Sequence, residues 1–180
     1  MSVGLLVIDI QNDYFPGGKF PLAEPDEAGL RAGEVLARFR EAGRPVVHVQ
    51  HVWDGPDAPF FAAGSPGVEI HASVAPAEGE SVMTKAHPNS FLDTDLAEEL
   101  ERLGIDELVV AGMQTNLCVD ATVRHAADLG LTVTVVGDAC AAVALEHDGR
   151  QVDAADVHAA FLAALDGNYA TVVKAADLQV

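Results

Sequence analysis

VVAGMQTNLCVDATVRHAADLG, residues 109–130, contains the pattern of a strand, a turn and a helix. It passes from an apolar run through a polar turn into a helical pattern at residues 118–130, which ends on a glycine. The run is apolar at consecutive positions, which is typical of a parallel strand covered by helices on both faces. The stretch therefore predicts a βα unit of an open parallel sheet.

The same alternation of apolar runs and helical patterns extends along the rest of the chain. Strands are predicted at residues 4–9, 45–52, 81–83, 107–112, 131–136 and 170–173. Helices are predicted at residues 25–43, 93–104, 118–130 and 151–165. This rhythm predicts an α/β fold with a central, mostly parallel sheet of five or six strands, and 180 residues fit a single domain, residues 1–180. Residues 54–80 are the one long irregular segment, and such loops tend to be functional or mobile.

Charge and composition point to a small molecule as the partner. The formal charge of −18 comes from 28 acidic against 10 basic residues, and it argues against nucleic acid and anionic membranes as partners. No apolar run approaches the roughly 18 residues that a membrane span needs. The first apolar run, residues 4–8, lacks the basic start and the length of a signal peptide, so we expect a cytoplasmic protein.

The two cysteines, Cys118 and Cys140, show no CxxC spacing, which excludes the usual zinc knuckles and dithiol redox motifs. Cys140 is interpreted as a packing residue. A free cysteine is most often a small buried hydrophobe, and Cys118 could be one as well. Its place at the start of a helix favours chemistry instead, because unpaired N–H groups and the helix dipole there stabilise a thiolate.

Asp9, Lys85 and Cys118 each lie at or just after the carboxyl end of a predicted strand, where open parallel sheets bind ligands. Together they suit acyl transfer: the carboxylate accepts the thiol proton, the ammonium stabilises the anions, and helix-start N–H groups hold an oxyanion. Each also has a plain alternative. Asp9 could cap a turn, and Lys85 could be a solvated loop lysine.

A substrate pocket is predicted from location alone. Aromatic side chains on the loops after the strand ends could form its walls, or could plug these loops onto the core. They are Tyr14, Phe15, Trp53, Phe60, Phe61 and Phe91. Gln11 and Asn116 are predicted to recognise a substrate amide. A nucleotide-binding Rossmann domain is disfavoured, because neither GxGxxG nor GxxxxGK[ST] occurs.

Three motifs in order resemble the isochorismatase-like cysteine hydrolase superfamily, which includes nicotinamidases, N-carbamoylsarcosine amidase-type enzymes, streptothricin hydrolase-like amidases and isochorismatase. They are LLVIDIQNDYF at residues 5–15, KAHPNSFLDTDL at residues 85–96, and the opening stretch at residues 109–130. The similarity covers almost the whole chain. GMQTNLCVDAT is most similar to the streptothricin hydrolase-like branch.

The resemblance implies a three-layer, Rossmann-like α/β/α sandwich and a homodimer or homotetramer. It implies Asp9 as general acid and base, Lys85 as the charge-stabilising residue and Cys118 as the nucleophile. It further implies a cis peptide bond between Met113 and Gln114, with the backbone N–H groups of Gln114 and Cys118 as the oxyanion hole. The expected reaction is hydrolysis of an amide-type C–N bond through a thioester.

The resemblance also leaves alternatives. Nicotinamidases hold a divalent metal through an Asp-x-His pair and further histidines, whereas His51 and Trp53 stand at the pair here and only His71 resembles a retained ligand. No metal and no cofactor are therefore expected, although His48, His51, His71 and His87 could cluster. A second alternative is a vinyl-ether hydrolase of the isochorismatase type. This reaction needs no thiol, so the presence of Cys118 favours C–N hydrolysis over it. A catalytically silent binding or assembly member also remains open.

Overall fold

Six parallel strands form the central sheet of the computed structural model, which describes residues 2–53, 55 and 57–180. The strands along the chain are β1 Val3–Ile8, β2 Val46–His51, β3 Ser81–Lys85, β4 Glu107–Met113, β5 Thr132–Ala141, β6 Leu145–His147, β7 Arg150–Val152 and β8 Thr171–Val173. The sheet has the order β3-β2-β1-β4-β5-β8, and every neighbouring pair in it is parallel. The short β6 and β7 pair with each other as an antiparallel hairpin.

Four helices cover the two faces of this sheet. They are α1 Pro25–Glu41, α2 Leu96–Arg102, α3 Asp120–Asp128 and α4 Ala154–Leu165. Side chains of a strand point alternately to opposite faces, so Leu5 of β1 packs in the core under α1, and Leu6 packs in the core under α2 and α3. The predicted three-layer α/β/α sandwich is thereby confirmed. Within the described chain, no helix is long and apolar enough to cross a membrane.

The strand order creates the place where a ligand can bind. From β1 the chain builds the sheet outward through β2 and β3, and then returns to add β4 on the other side of β1. The loops that leave β1 and β4 consequently run to opposite faces and leave a crevice at the carboxyl ends of these strands. Asp9 directly follows β1, and Gln114 directly follows β4.

Several predicted boundaries were wrong. The helix predicted from residue 151 begins at Ala154, because residues 150–152 form one strand of the β6–β7 hairpin, which was not predicted. The strand predicted at residues 131–136 continues to Ala141. The helix predicted from residue 118 is divided, since residues 115–119 form a π-helical turn and α3 begins only at Asp120. In the predicted irregular segment, Asp54 and Pro56 lie outside the described residues.

A buried polar network fastens the sheet edge to α1. Glu80, just before β3, accepts two hydrogen bonds from the Arg40 guanidinium at 2.7 and 2.8 Å. The same carboxylate lies 2.9 Å from Nε2 of His48, a fully buried residue of β2. Hydrogen bonding from Arg40 is the main cause that lowers the pKa of Glu80 to about 2. The ionised carboxylate therefore stabilises the folded chain.

The glycine at 112 is required by the close approach of β1 and β4. A Cβ built on Gly112 would collide with the carbonyl oxygen of Ile8 and lie 2.7 Å from the Ile8 Cβ. We expect Gly112→Ala to lower the free energy of unfolding by about 3 kcal/mol, because strand backbone cannot move aside. Gly137→Ala is the matched control: its Cβ would meet side-chain methyls of Leu162 and Val172 at 3.0 and 3.2 Å, and the nearest backbone atom, the Val173 carbonyl oxygen, lies at an ordinary 3.7 Å. Denaturant unfolding should show a loss below about 1 kcal/mol for this control, and equal losses would contradict the argument.

The Glu80 network predicts acid sensitivity. The folded-state pKa of about 2 lies below the ordinary 4.5, so the stabilisation is complete above 4.5 and is lost as the pH falls towards 2. Because the Arg40 side chain is partly exposed, solvent screening reduces the stabilisation at stake to about 1 kcal/mol. We expect the unfolding free energy of Glu80→Gln to depend less on pH there than that of the wild type. Exposed Glu78→Gln is the control and should keep the wild-type slope; identical slopes for all three proteins would refute the prediction.

Candidate active site

A buried ion pair lies at the base of the crevice. The Nζ atom of Lys85, the last residue of β3, is 2.8 Å from Oδ2 of Asp9, and both side chains are inaccessible to solvent. Asp9 has a φ of 51°, a left-handed conformation that aspartate adopts more readily than most residues. The ammonium also donates to the carbonyls of His87 and Pro88 at 2.9 and 3.2 Å. Among the described residues, neither Asp9 oxygen has a hydrogen bond of regular geometry, so both can exchange a proton.

Cys118 completes the group that was predicted from the sequence. It lies in the π-helical turn after β4, and its side chain is buried, with 1% of the residue exposed. Its sulfur, a carboxylate oxygen of Asp9 and a ring nitrogen of His51 all lie within 4.8 Å of one another. The structure thus brings Asp9, Lys85 and Cys118 together.

The charges of the site keep Cys118 protonated at rest. Burial raises the pKa of the Cys118 thiol, the Asp9 carboxylate raises it further, and the Lys85 ammonium opposes both. Burial would also lower the pKa of Lys85, but the charges of Asp9 and Cys118 outweigh it, and the pKa is raised. Burial therefore opposes the expected helix-start thiolate, because the cost of burying an anion works against the effect of nearby N–H dipoles.

The turn before α3 leaves two backbone donors available. The carbonyl of Gln114 accepts hydrogen bonds from the N–H groups of Leu117 and Val119, both at 3.1 Å. The N–H of Cys118 lies between these two donors, and no described backbone carbonyl outside the turn accepts a hydrogen bond from it or from the N–H of Gln114. The peptide bond between Met113 and Gln114 is cis. Donors without protein acceptors beside a thiol could bind an oxyanion.

His51 is a member of the site that sequence reasoning considered only as a metal ligand. Its Nδ1 lies 3.3 Å from the Lys85 Nζ and 3.9 Å from Oδ2 of Asp9. His51 ends β2 in register with Lys85 of β3, and this pairing at the sheet edge was the signal that could have revealed the contact. Burial is the main cause that lowers the pKa of His51, so the ring is neutral.

The surroundings of the histidines do not suit a metal ion. Within the described part of the chain, the only cluster of three potential ligands is Asp9, His51 and Cys118, and the Lys85 ammonium contacts this group. The other three histidines of the possible cluster have different partners. These are Glu80 for His48, Ser73 for His71, and Asp93 for His87.

Gln11 has a different environment from the predicted one. Its Nε2 donates to the carbonyls of His51 and Val68 at 2.8 and 2.7 Å, and its Oε1 accepts from the N–H of His51 at 2.8 Å. Both amide hydrogens are thereby used within the protein. The structure therefore corrects the expectation of a substrate contact: Gln11 fastens the end of β2 to the loop around residue 68. Asp13 acts similarly by accepting from the N–H of Phe61 at 2.6 Å.

An aromatic cluster lies over the site. Tyr14, Phe20, Trp53, Phe60 and Phe61 are in mutual contact, with ring centroids 4.6–6.2 Å apart. The ring of Trp53 is also 6.2 Å from that of His51, and 43% of Trp53 is exposed. We call these five residues the aromatic cover. Two predicted pocket residues link the cover to the site: Trp53, and Phe61, whose ring lies 6.0 Å from that of His51.

Two other predicted pocket residues pack elsewhere. Phe15 is stacked on His71 at 3.6 Å and lies close to Gly29 of α1, so it belongs to the core. Phe91 is stacked on His125 of α3 at 4.9 Å. Loop position alone could not separate such packing from a pocket wall. Asn116 stays a candidate, because its Oδ1 is buried and no described residue donates to it.

Tyr14 was predicted as part of a pocket wall, but it lies close to the reactive group itself. Its hydroxyl accepts a hydrogen bond from Nε2 of Gln114 at 3.3 Å. Burial, followed by the charges of Cys118 and Asp9, raises its pKa. The phenol therefore stays protonated beside the reacting groups.

Access to the sulfur requires movement of its cover. A cavity of about 560 Å³ opens beside Cys140 and His158, and its walls include none of Asp9, Lys85 and Cys118. Because Cys118 is almost fully buried, a substrate can reach its sulfur only when neighbouring side chains move. The partly exposed Trp53 lies at the rim where this movement would be needed.

Sequence and structure comparisons identify the family. The family model of the Isochorismatase domain matches residues 3–177. The chain belongs to the isochorismatase family. It is similar to the uncharacterized isochorismatase family protein YddQ of Bacillus subtilis, with 52% identity over 172 residues that cover 96% of each chain.

Two further comparisons agree with this assignment. Streptothricin hydrolase of Streptomyces noursei is 39% identical over 137 residues, which cover 75% of this chain and 48% of that protein. A crystal structure of an isochorismatase-type hydrolase from Oleispira antarctica has a TM-score of 0.96 and 47% identity, and the match covers 98% of this chain and 95% of that chain. The resemblance predicted from the three motifs is thus confirmed, and the chain is an isochorismatase-family hydrolase.

The electrostatics predict an unusual effect of one substitution. In Asp9→Asn the charge that raises the pKa of the Cys118 thiol is lost while Lys85 remains. We expect the Cys118 pKa to fall by at least about one unit, so that the thiolate forms at a lower pH than in the wild type. Ultraviolet thiolate absorbance across a pH series measures the change.

Peptide-resolved alkylation of the same samples gives the internal control, because Cys140 should react equally in both proteins. An unchanged or higher Cys118 pKa in Asp9→Asn would contradict the assigned geometry.

Proposed function

We propose that this isochorismatase-family protein is a cysteine-dependent hydrolase that cleaves an amide-type C–N bond of a small molecule through a thioester. One observation carries the proposal: the buried group of Asp9, Lys85 and Cys118, in which carboxylate, ammonium and thiol are close enough to exchange a proton. Such a group can ionise a thiol only when an acyl acceptor is present.

In the proposed first half-reaction, Asp9 accepts the proton of the Cys118 thiol, and the sulfur attacks the substrate carbonyl carbon. Lys85 stabilises the thiolate as it forms. Asp9 then transfers the proton to the departing nitrogen, so the C–N bond breaks, an amine or ammonia leaves, and a thioester to Cys118 remains. Asp9 is again ionised at the end of this step.

In the second half-reaction, Asp9 accepts a proton from water, and the resulting hydroxide attacks the thioester carbonyl. The C–S bond breaks, the carboxylic acid product leaves, and the proton returns from Asp9 to the sulfur. The resting state, with a protonated thiol and an ionised Asp9–Lys85 pair, is restored.

The N–H groups of Gln114 and Cys118 are the proposed oxyanion hole for both half-reactions. Support comes from the turn after β4, where no described backbone carbonyl outside the turn accepts from either N–H group. Donors that are already oriented need no rearrangement as charge develops on the substrate oxygen. Asn116 and Trp53 are the proposed substrate contacts.

The site favours this reaction over the alternatives. A vinyl-ether hydrolysis would make no use of the thiol that lies beside Asp9. A metal-dependent nicotinamidase reaction does not suit the donor set, because the Lys85 ammonium already contacts Asp9 and His51, and its charge would repel a metal cation. No step is therefore assigned to a metal or a cofactor.

The remaining proposals concern the protein as a whole. We propose one hydrolase domain, residues 1–180, that assembles as a homodimer or homotetramer. Helix α4 supports assembly, because the alanines on its outer side leave an apolar surface exposed. The two free thiols suit a reducing compartment such as the cytoplasm.

Replacement of the nucleophile gives the direct test. Cys118→Ala should reduce ammonia release from small amides by at least about a thousandfold, with an unchanged circular dichroism spectrum. Cys140→Ala is the matched control and should retain turnover. The Cys140 thiol donates a hydrogen bond to the Val136 carbonyl and has no part in the proposed mechanism. Wild-type protein quenched during turnover should carry an acyl mass on Cys118.

Persistent turnover by Cys118→Ala would show that another residue is the nucleophile. Absence of turnover in the wild type across a broad amide panel would favour a silent binding member of the family.

A further inference from the structure

The contacts of His51 determine which of its nitrogens carries the proton. Nδ1 faces the Lys85 ammonium at 3.3 Å and the Asp9 carboxylate at 3.9 Å. An ammonium has only hydrogen-bond donors, so Nδ1 must be the acceptor in this contact. The single proton of the neutral ring is consequently on Nε2.

The ring cannot easily exchange its two edges. The backbone N–H and carbonyl of His51 are both bonded to the Gln11 side chain at 2.8 Å. The ring packs near Trp53 and Phe61, with centroids 6.2 and 6.0 Å away. A ring turned by 180° would place the Cδ2–H group against the ammonium and lose the acceptor that contacts Lys85. The Nε2–H is therefore a donor with a fixed direction.

This donor is not the ring nitrogen that contacts Lys85. The two nitrogens lie on different edges of the imidazole, and Nδ1 is the one that meets the ion pair. No described residue accepts a hydrogen bond from Nε2. One ring nitrogen of His51 lies within 4.8 Å of the Cys118 sulfur, so the ring is within reach of an acyl group on that sulfur.

We propose that His51 is a specificity-determining residue whose Nε2–H donates to an acceptor on the acyl part of the substrate. The substrate class is then a small amide with a carbonyl oxygen or an aromatic ring nitrogen near the scissile carbonyl and a planar face for Trp53. This inference rests on the proposed function, because it assigns the substrate class of the same site. A site built to donate a hydrogen bond discriminates against analogues without an acceptor.

Matched pairs of amides test the proposal. Acetoacetamide is compared with its isostere in which a methylene group replaces the ketone oxygen, and the pyridine carboxamides are compared with benzamide. In the wild type, kcat/KM should favour the acceptor-bearing member of at least one pair by about five- to tenfold.

His51→Leu should reduce this preference towards the intrinsic reactivity ratio of the two amides, measured in uncatalysed hydrolysis. His51→Gln, which can accept from Lys85 and still donate, should retain part of it. The ratio within each variant cancels any general loss of activity. A wild type without preference, or a His51→Leu variant with the full wild-type preference, would overturn the proposal.

Nitrogen NMR of histidine-labelled protein separates this proposal from the proposed reaction. The His51 ring should give the Nε2–H tautomer in the resting wild type. In Cys118→Ala, which cannot form the thioester, the acceptor-bearing amide should shift the Nε2 resonance and its isostere should not. A proton on Nδ1, or no selective shift, would overturn the role of His51 even if hydrolysis is observed. Selective shifts without any turnover would instead count against the thioester reaction alone.

Discussion

The ion pair between Asp9 and Lys85 is the constraint on which the site depends. Two charges withdrawn from water are tolerated only when they are close together and otherwise hydrogen-bonded. Here the 2.8 Å contact joins the ends of β1 and β3, two strands that are separated by β2. The carbonyl groups of His87 and Pro88 and the Nδ1 atom of His51 share the remaining hydrogens of the ammonium. The pair therefore holds the loops after two strands in one arrangement and creates the negative charge beside the Cys118 thiol.

The loops and the aromatic cover exclude water from the Asp9–Lys85 pair and the Cys118 thiol. Gln11 and Asp13, directly after β1, bind the backbone of the loop that carries the aromatic cover. Gln114 binds the Tyr14 hydroxyl from the opposite side of the crevice. In this water-poor site the thiol stays protonated at rest, and charge separation becomes favourable only when a substrate offers a carbonyl to the sulfur. The aromatic cover and the reactive group are thus connected by residues that follow β1, the strand after which Asp9 also lies.

Sequence reasoning succeeded where local pattern determines structure. Consecutive apolar residues in β1 and β4 predicted buried parallel strands, and the rule that parallel strands end at one edge of a sheet predicted that Asp9, Lys85 and Cys118 lie there. It failed where an aromatic side chain on a loop can either pack into the core or border the site, because both places are lined by similar residues. Phe15 and Trp53 both follow strands, but one packs on α1 and the other borders the site. The β6–β7 hairpin was missed because its strands are only three residues each and are exposed on both faces.

The amino-acid sequence by itself determined the α/β class, the strand positions to within a few residues, the family and the three reactive side chains, because hydrophobic periodicity and motif spacing are local properties. Only the tertiary structure decided the protonation state of Cys118, the use of the Gln11 amide and the tautomer of His51. These depend on burial and on distances between residues far apart in the chain. A carboxylate and an ammonium a few ångströms from a thiol set its charge, and no local pattern of residues encodes that distance.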